Sequence, residues 1–246
     1  MNDQSNTDTH GTITSLVKRA TQVQRGSARA AVLGVNDGLV STLCLVVGVA
    51  AAGGSSQAVL TAGFAGLLAG ALSMAAGEWI SVKAQVELFE GVLSDVKTEL
   101  RRNRQQLIAD LADNFERHGI DRVTADRASK DVARKDSQLM SMYSAEVIGI
   151  NESELGSPWR AAGSSFLLFV VGSLVPLLPW IVGLQSVAGI LTAIGLTVAG
   201  GLFVGGYTAR SSGKSITYGA VRQLIIILLA AGVTYGIGSV FGVLTA

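Results

Sequence analysis

Apolar residues dominate five stretches of this chain, at positions 30–52, 58–81, 161–183, 186–209 and 216–244. Each is about 20 residues or longer, the length an α-helix needs to cross the hydrocarbon layer of a bilayer. Short turn-like breaks follow the first, third and fourth: Gly53-Gly54-Ser55-Ser56, Leu184-Gln185 and Ser211-Ser212-Gly213-Lys214. The pattern predicts an all-α integral membrane protein with five transmembrane helices, partnered by the lipid bilayer itself. Pro176 and Pro179 predict a kink or local unwinding in the third span.

Residues 82–160 follow a different rule. Phe89, Leu93, Val96, Leu100, Leu107 and Leu111 recur at three-, four- and seven-residue steps, an amphipathic helical stripe in a highly charged segment. His118-Gly119-Ile120-Asp121 is a helix stop and turn, residues 122–147 predict one or two further helices, and Gly149 is a stop. Ser157-Pro158-Trp159 fits the start of the third span. At roughly 75 residues the segment is too long and too periodic for a linker. The expected organisation is a tail at 1–28, two spans in 29–82, a helical domain at 83–158 and three spans in 159–246.

Charge placement orients the helices. Between 30 and 81 the charged residues are Asp37 and Glu78, and between 161 and 209 there are none. Every Lys and Arg falls in 18–29, 83–160 or 210–222. In a five-span arrangement these three regions share one side, which the positive-inside rule makes the cytoplasm. The amino terminus, the tail and the helical domain are then cytoplasmic and the carboxyl terminus is outside. Residues 1–15 are polar and resemble no cleavable signal, so the first span is expected to be retained.

Composition adds exclusions. Of 246 residues 49% are hydrophobic and 15% charged, and the mean hydropathy is +0.45. One cysteine, Cys44, and two histidines, His10 and His118, leave no disulfide framework and make a Cys/His zinc cluster untenable. Both histidines lie outside the spans, so a Ser–His pair within the membrane is unavailable, and a paired-aspartate protease lacks its second deep aspartate. No enzymatic activity, no resident cofactor and no nucleic-acid partner are expected.

The chemistry concentrates on the first two spans. Asp37 lies eight residues past Arg29, roughly 12 Å in. A carboxylate at that depth needs a partner, water or an ion, and intramembrane acids mark functional sites. Asn36 stands beside it, and Gly34 and Gly38 flank it. Met74 and Glu78 are four residues apart on the second span, so they share a face. Counted from Lys83, Met74 is roughly 13 Å deep and Glu78 roughly 7 Å, which sets Met74 at the depth of Asp37. A carboxylate with a thioether is a mixed hard and soft ligand set, suited to iron(II) or manganese(II) rather than calcium or zinc. Gly63, Gly66, Gly70, Ser73 and Gly77 make a small-residue face that fits a dimer seam or a pore wall. The polar segment carries acids, among them the stripe Asp110, Asp113 and Glu116, with Met140 and Met142 just before Glu146.

RAAVLGVNDGLVSTLCLVVGVA from Arg29, AGFAGLLAGALSMAAGEWISV from Ala62, GSPWRAA, SLVPLLPW and GYTARSSGKSITYGAVRQL together resemble the vacuolar iron transporter family, which includes nodulin-21-like proteins and many bacterial members. The likeness covers about residues 29–246. It implies a homodimer of five-span subunits that moves iron(II), in some members manganese(II), out of the cytoplasm in exchange for protons, with an acidic cytoplasmic domain gathering metal. Asp37 matches the family's pore aspartate and Met74 its second-span methionine. Ala30 and Gly66 stand where vacuolar members carry further acids. With Glu78, they make the spans similar to the nodulin-21 branch, which largely lacks the polar domain. In that domain the resemblance implies metal ligands at Glu99, Asp110, Met142 and Glu146, while Val96 and Leu107 replace other acids.

The expected function is therefore export of iron(II) or manganese(II) by proton antiport. Metal would pass from Glu99, Asp110, Met142 and Glu146 to Asp37 and Met74, with Glu78 a candidate proton carrier. The rival expectation is a non-transporting membrane metal sensor or scaffold. The location would be the cell membrane in a bacterium and the vacuolar membrane in a eukaryote.

Overall fold

The computed structural model describes residues 26–150 and 156–245. Most of the expected amino-terminal tail lies outside the described residues. Among those described, every regular element is helical. They are α1 (Gly26–Ala51), α2 (Ser56–Arg102), α3 (Arg104–Arg117), α4 (Arg122–Val132), α5 (Asp136–Tyr143), a π-helical turn (Ser144–Ile148), α6 (Pro158–Ile181), α7 (Ser186–Ser211) and α8 (Ile216–Thr245). The chain divides into two compact units, one of residues 1–80 and 158–246, the other of residues 81–157.

In the first unit five helices are long and apolar enough to cross a membrane: Ala31–Ala51, Ser56–Arg102, Pro158–Ile181, Val187–Ser211 and Ile216–Val243. Helices are what such sequences must form in hydrocarbon, where a main-chain N–H or C=O finds no partner outside its own segment. Leu68, Leu72, Val171, Phe203 and Leu229 point outward and exposed, an arrangement costly in water and natural against lipid. α1, α6 and α7 end at Gly53, Gly183 and Gly213, each in the left-handed backbone region that admits glycine without strain. α2 does not stop at Ser81 with its apolar run. Its 47 residues continue to Arg102, about 70 Å of helix, more than twice the hydrocarbon thickness. α6 runs unbroken through the buried Pro176 and Pro179, so the expected local unwinding is not found.

Glycines fix the packing. A Cβ on Gly38 would collide with the main-chain carbonyl of Phe169 and lie 2.9 Å from the Ser173 nitrogen; one on Gly172 would meet the Val35 carbonyl. Gly34 faces Ser165 in the same way, so α1 and α6 run parallel with their backbones nearly touching. Gly238 meets Gly48, Gly242 meets Ala52, and the Gln223 side-chain amide donates to Asn36 Oδ1, so α8 is also parallel to α1. Gly205 against Gly219 and Gly201 against Ile227 set α7 antiparallel to α8. Gly63 lies under Val46 and Leu177, Gly66 under Leu45 and Gly70 under Phe169, which sets α2 antiparallel to α1 and α6. The small residues of α2 thus receive side chains from their own chain. Knobs from α1 and α6 sit against these three glycines within the chain. The buried core of the unit is Leu43, Val46, Val47, Val59, Leu67, Leu177, Trp180, Ile190, Ala193, Ile227 and Ala231.

The second unit has its own core. Val96, Leu100, Leu107, Ile108, Leu111, Ala133 and Leu139 are buried together, with Phe115, Met140, Met142, Tyr143 and Val147 packed on them. This is the amphipathic stripe closed on itself. Gly119 turns the chain in the left-handed region, and the Asp121 carboxylate caps α4 by accepting from the Val123 and Thr124 nitrogens at 3.1 Å. The Thr124 side-chain hydrogen bond first, then the main-chain N–H groups of Thr124 and Val123, hold the Asp121 carboxyl below the ordinary carboxylate range, since they favour its anion.

The glycine contacts generate a contrast. Gly38→Ala should lose about 1–3 kcal/mol of stability, because a main-chain wall cannot move aside. Gly77→Ala meets nothing within 4 Å and should be neutral or gain up to about 1 kcal/mol from helix propensity. Thermal unfolding of the detergent-solubilised protein measures both; equal melting would sink the close-contact account.

Candidate functional site

Asp37 sits midway along α1, and the packing of its neighbours decides where it faces. Gly34 and Gly38 are turned to α6, and Asn36 is turned to α8, where its amide oxygen accepts from Gln223. Asp37 is left exposed on a different face. Ser41 Oγ donates to the main-chain carbonyl of Asp37, not to its carboxylate. Among the described residues the Asp37 carboxylate has no hydrogen-bond or ion-pair partner, so Asn36 does not satisfy it. Ser41, Cys44 and Gly48 continue the same helical face, at four-, seven- and eleven-residue steps. With Thr234, Gly238 and Phe241 of α8 they line a shallow groove of about 520 Å³.

The register of α1 and α2 follows from two contacts, Val46 with Gly63 and Leu45 with Gly66. Carried down both helices at equal rise, it brings Asp37 level with about residues 72–74 of α2. Met74 and Glu78 are both half-buried. Beside Glu78, Trp79 meets Trp159 of α6 edge to face, with ring centroids 5.7 Å apart.

In the second unit Asp110 accepts from Gln106 Nε2 at 2.8 Å and from the Tyr143 hydroxyl at 3.2 Å. Glu99 accepts from Asn103 Nδ2 at 2.6 Å. Burial first, then the charges of Asp110 and Glu99, pushes the Tyr143 hydroxyl above its ordinary pKa, so these three side chains share one neighbourhood. Met142 packs on the apolar core, and Glu146 is exposed, its main-chain carbonyl accepting from Asn114 Nδ2 at 3.0 Å. Asp113 and Glu116 are engaged by Arg122, which also pairs with Asp126 at 3.2 Å. Val96 and Leu107, the apolar replacements, lie inside the core. Among the described residues of a single chain, no three His, Cys, Asp or Glu side chains gather closely enough to hold a metal ion.

Residues 28–239 match the sequence model of the VIT family. The chain belongs to the VIT family. A protein named vacuolar iron transporter from Acanthamoeba castellanii is 32% identical over 220 residues, 87% of this chain and 78% of that one. Vacuolar iron transporter homolog 1 of rice, Oryza sativa subsp. japonica, is 36% identical over 220 residues, 87% and 73% of the two chains. Vacuolar iron transporter 1 of the same plant is 26% identical over 215 residues, 85% and 82%. The VIT match covers the glycine-packed spans and the second unit alike.

Gln223 escaped the sequence reading. A lone glutamine seven residues into an apolar helix was a signal, but its partner on α1 is 187 positions away. It is 5% exposed and wedged against Gly201 and Gly205. Asn36→Leu or Gln223→Leu alone should each cost about 1–3 kcal/mol, since one buried amide loses its partner, while the double Leu variant should recover most of that loss. Chemical denaturation of the three variants checks this; additive losses would rule the pair out as a coupled unit.

Proposed function

We propose that this VIT-family protein is a metal ion transporter that exports iron(II) or manganese(II) from the cytoplasm in exchange for protons. The supporting observation is Asp37, a carboxylate midway along an apolar spanning helix with no partner among the described residues. On translocon scales such an acid costs about 2.5–3.5 kcal/mol at a helix centre, so its retention asks for a charge that arrives from elsewhere. A dication and a proton both neutralise it, which is the elementary requirement for exchanging one for the other. Met74, level with Asp37, supplies a thioether that favours a borderline cation over calcium or magnesium. Glu78, one turn away, is the proposed proton carrier. The relatives named vacuolar iron transporter support iron as the substrate.

The transport path is formed between two copies of the chain, with the face of Asp37, Ser41 and Cys44 lining it. A homodimer would let a second copy add ligands where the described residues of one chain gather no group of three His, Cys, Asp or Glu. The parallel run of α1, α6 and α8 puts their amino-terminal ends together, and the basic residues Arg160, Arg210 and Lys214 lie at those ends. That side is the cytoplasm by the positive-inside rule. The second unit is then cytoplasmic, and Glu99, Asp110, Met142 and Glu146 collect metal there, completed by the second copy.

Proteoliposomes loaded with a metal-sensitive dye and a pH dye test the reading. Asp37→Asn should abolish flux of iron(II) and manganese(II) and the coupled proton signal, while the protein still inserts and dimerises. Met74→Leu should lower flux severalfold and change the ion preference without abolishing transport. Wild-type flux in the Asp37→Asn variant would remove the pore assignment, and absence of flux in the wild-type protein would favour the sensor reading. A carboxyl-terminal reporter should appear outside the cytoplasm and one inserted near Arg122 inside; both on one side would overturn the orientation.

A further inference from the structure

The start of α8 carries a cluster that transport does not use. Lys214 Nζ stands 5.6 Å from the centre of the Tyr218 ring, and the Arg222 guanidinium carbon stands 5.9 Å from the same centre. Two cations therefore share one aromatic ring, Lys214 from the turn that precedes α8 and Arg222 from the helix itself, one turn past Tyr218. Both are exposed, and among the described residues neither has an ion pair. No Asp or Glu occurs in the sequence after Glu154, so the segment that carries Arg210, Lys214 and Arg222 brings no acid of its own.

Depth decides what anion meets them. From Arg222 to Val243 the helix rises about 31 Å, which matches the roughly 30 Å hydrocarbon thickness. Arg222 then lies at the hydrocarbon edge, Tyr218 one turn nearer the water in the interfacial aromatic zone, and Lys214 at headgroup level. Beside Arg222 and deeper along the same side of the helix stand Val221, Ile225 and Leu229, all exposed and apolar. A cationic clamp capping an apolar track is complementary to a molecule with an anionic head and a hydrocarbon tail.

We infer that Lys214, Tyr218 and Arg222 form a binding site for an anionic glycerophospholipid, whose phosphate bridges the ammonium and the guanidinium while an acyl chain lies along Val221, Ile225 and Leu229. The guanidinium and ammonium donate charge-assisted hydrogen bonds to the phosphate oxygens, and Tyr218 holds the two side chains on its faces. A free phosphate would gain the head contacts without the track.

Native mass spectrometry of the full-length protein in detergent, titrated with phosphatidylglycerol, tests the site. The wild type should retain phosphatidylglycerol over phosphatidylcholine. Each charge near the surface contributes about fivefold, so Lys214→Gln with Arg222→Gln together should weaken retention about 30-fold. Lys214→Arg with Arg222→Lys should restore it, and removing two charges in the second unit, Arg101→Gln with Arg102→Gln, should change nothing. Unchanged retention in the glutamine variant, or equal loss in the Arg101 and Arg102 variant, would overturn the site. Glycerophosphate or inorganic phosphate competing as effectively as the lipid would show that a free anion, and not a lipid, is the ligand.

Discussion

The contact between the backbones of α1 and α6 is the constraint on which the membrane unit depends. Gly38 against the Phe169 carbonyl and Gly172 against the Val35 carbonyl leave no room for a single added methyl group. In hydrocarbon no hydrophobic force drives helices together, because lipid tails are as apolar as leucine. Close approach supplies the attraction instead, through dense van der Waals contact. α8 repeats the device on another face of α1 through Gly48 and Gly238, and there the half-buried Asn36 and the buried Gln223 add a polar link.

These contacts also aim the charge. With Gly34 and Gly38 committed to α6 and Asn36 and Gly48 committed to α8, the remaining face of α1 is the one that carries Asp37 and Ser41. An acid at this position is therefore presented by the packing of its immediate neighbours rather than by any bond of its own. Strength and exposure are linked here. The tighter the two glycine seams, the less freedom α1 has to rotate Asp37 to another face.

The second unit follows soluble-protein rules. Its helices pack a conventional apolar core, and its acids are sorted by what lies next to them. Asp113 and Glu116 are engaged by Arg122, Asp110 and Glu99 border Tyr143, and Glu146 reaches solvent. Val96 and Leu107 belong to the core itself. Any carboxylate at those two positions would cost burial of a charge, so the apolar residues there and the compact core are two sides of one choice.

The sequence by itself determined the number of apolar helices, their breaks and the stripe of the polar segment. Each rests on local information, namely run length, glycine turns and helical periodicity. It also singled out Asp37, because a charge within an apolar run is visible without any fold, and the family followed from the motifs around it. What only the tertiary structure decided was which faces meet. Gly63, Gly66 and Gly70 receive Leu177, Val46, Leu45 and Phe169 within the chain, side chains from helices whose azimuth no periodicity encodes. Asn36 belongs to Gln223 and not to Asp37, because partners 187 positions apart meet only once parallel helices set their register. Helix propensity and hydropathy act along the chain, but the close approach of two backbones and the pairing of two side-chain amides are properties of helices already assembled.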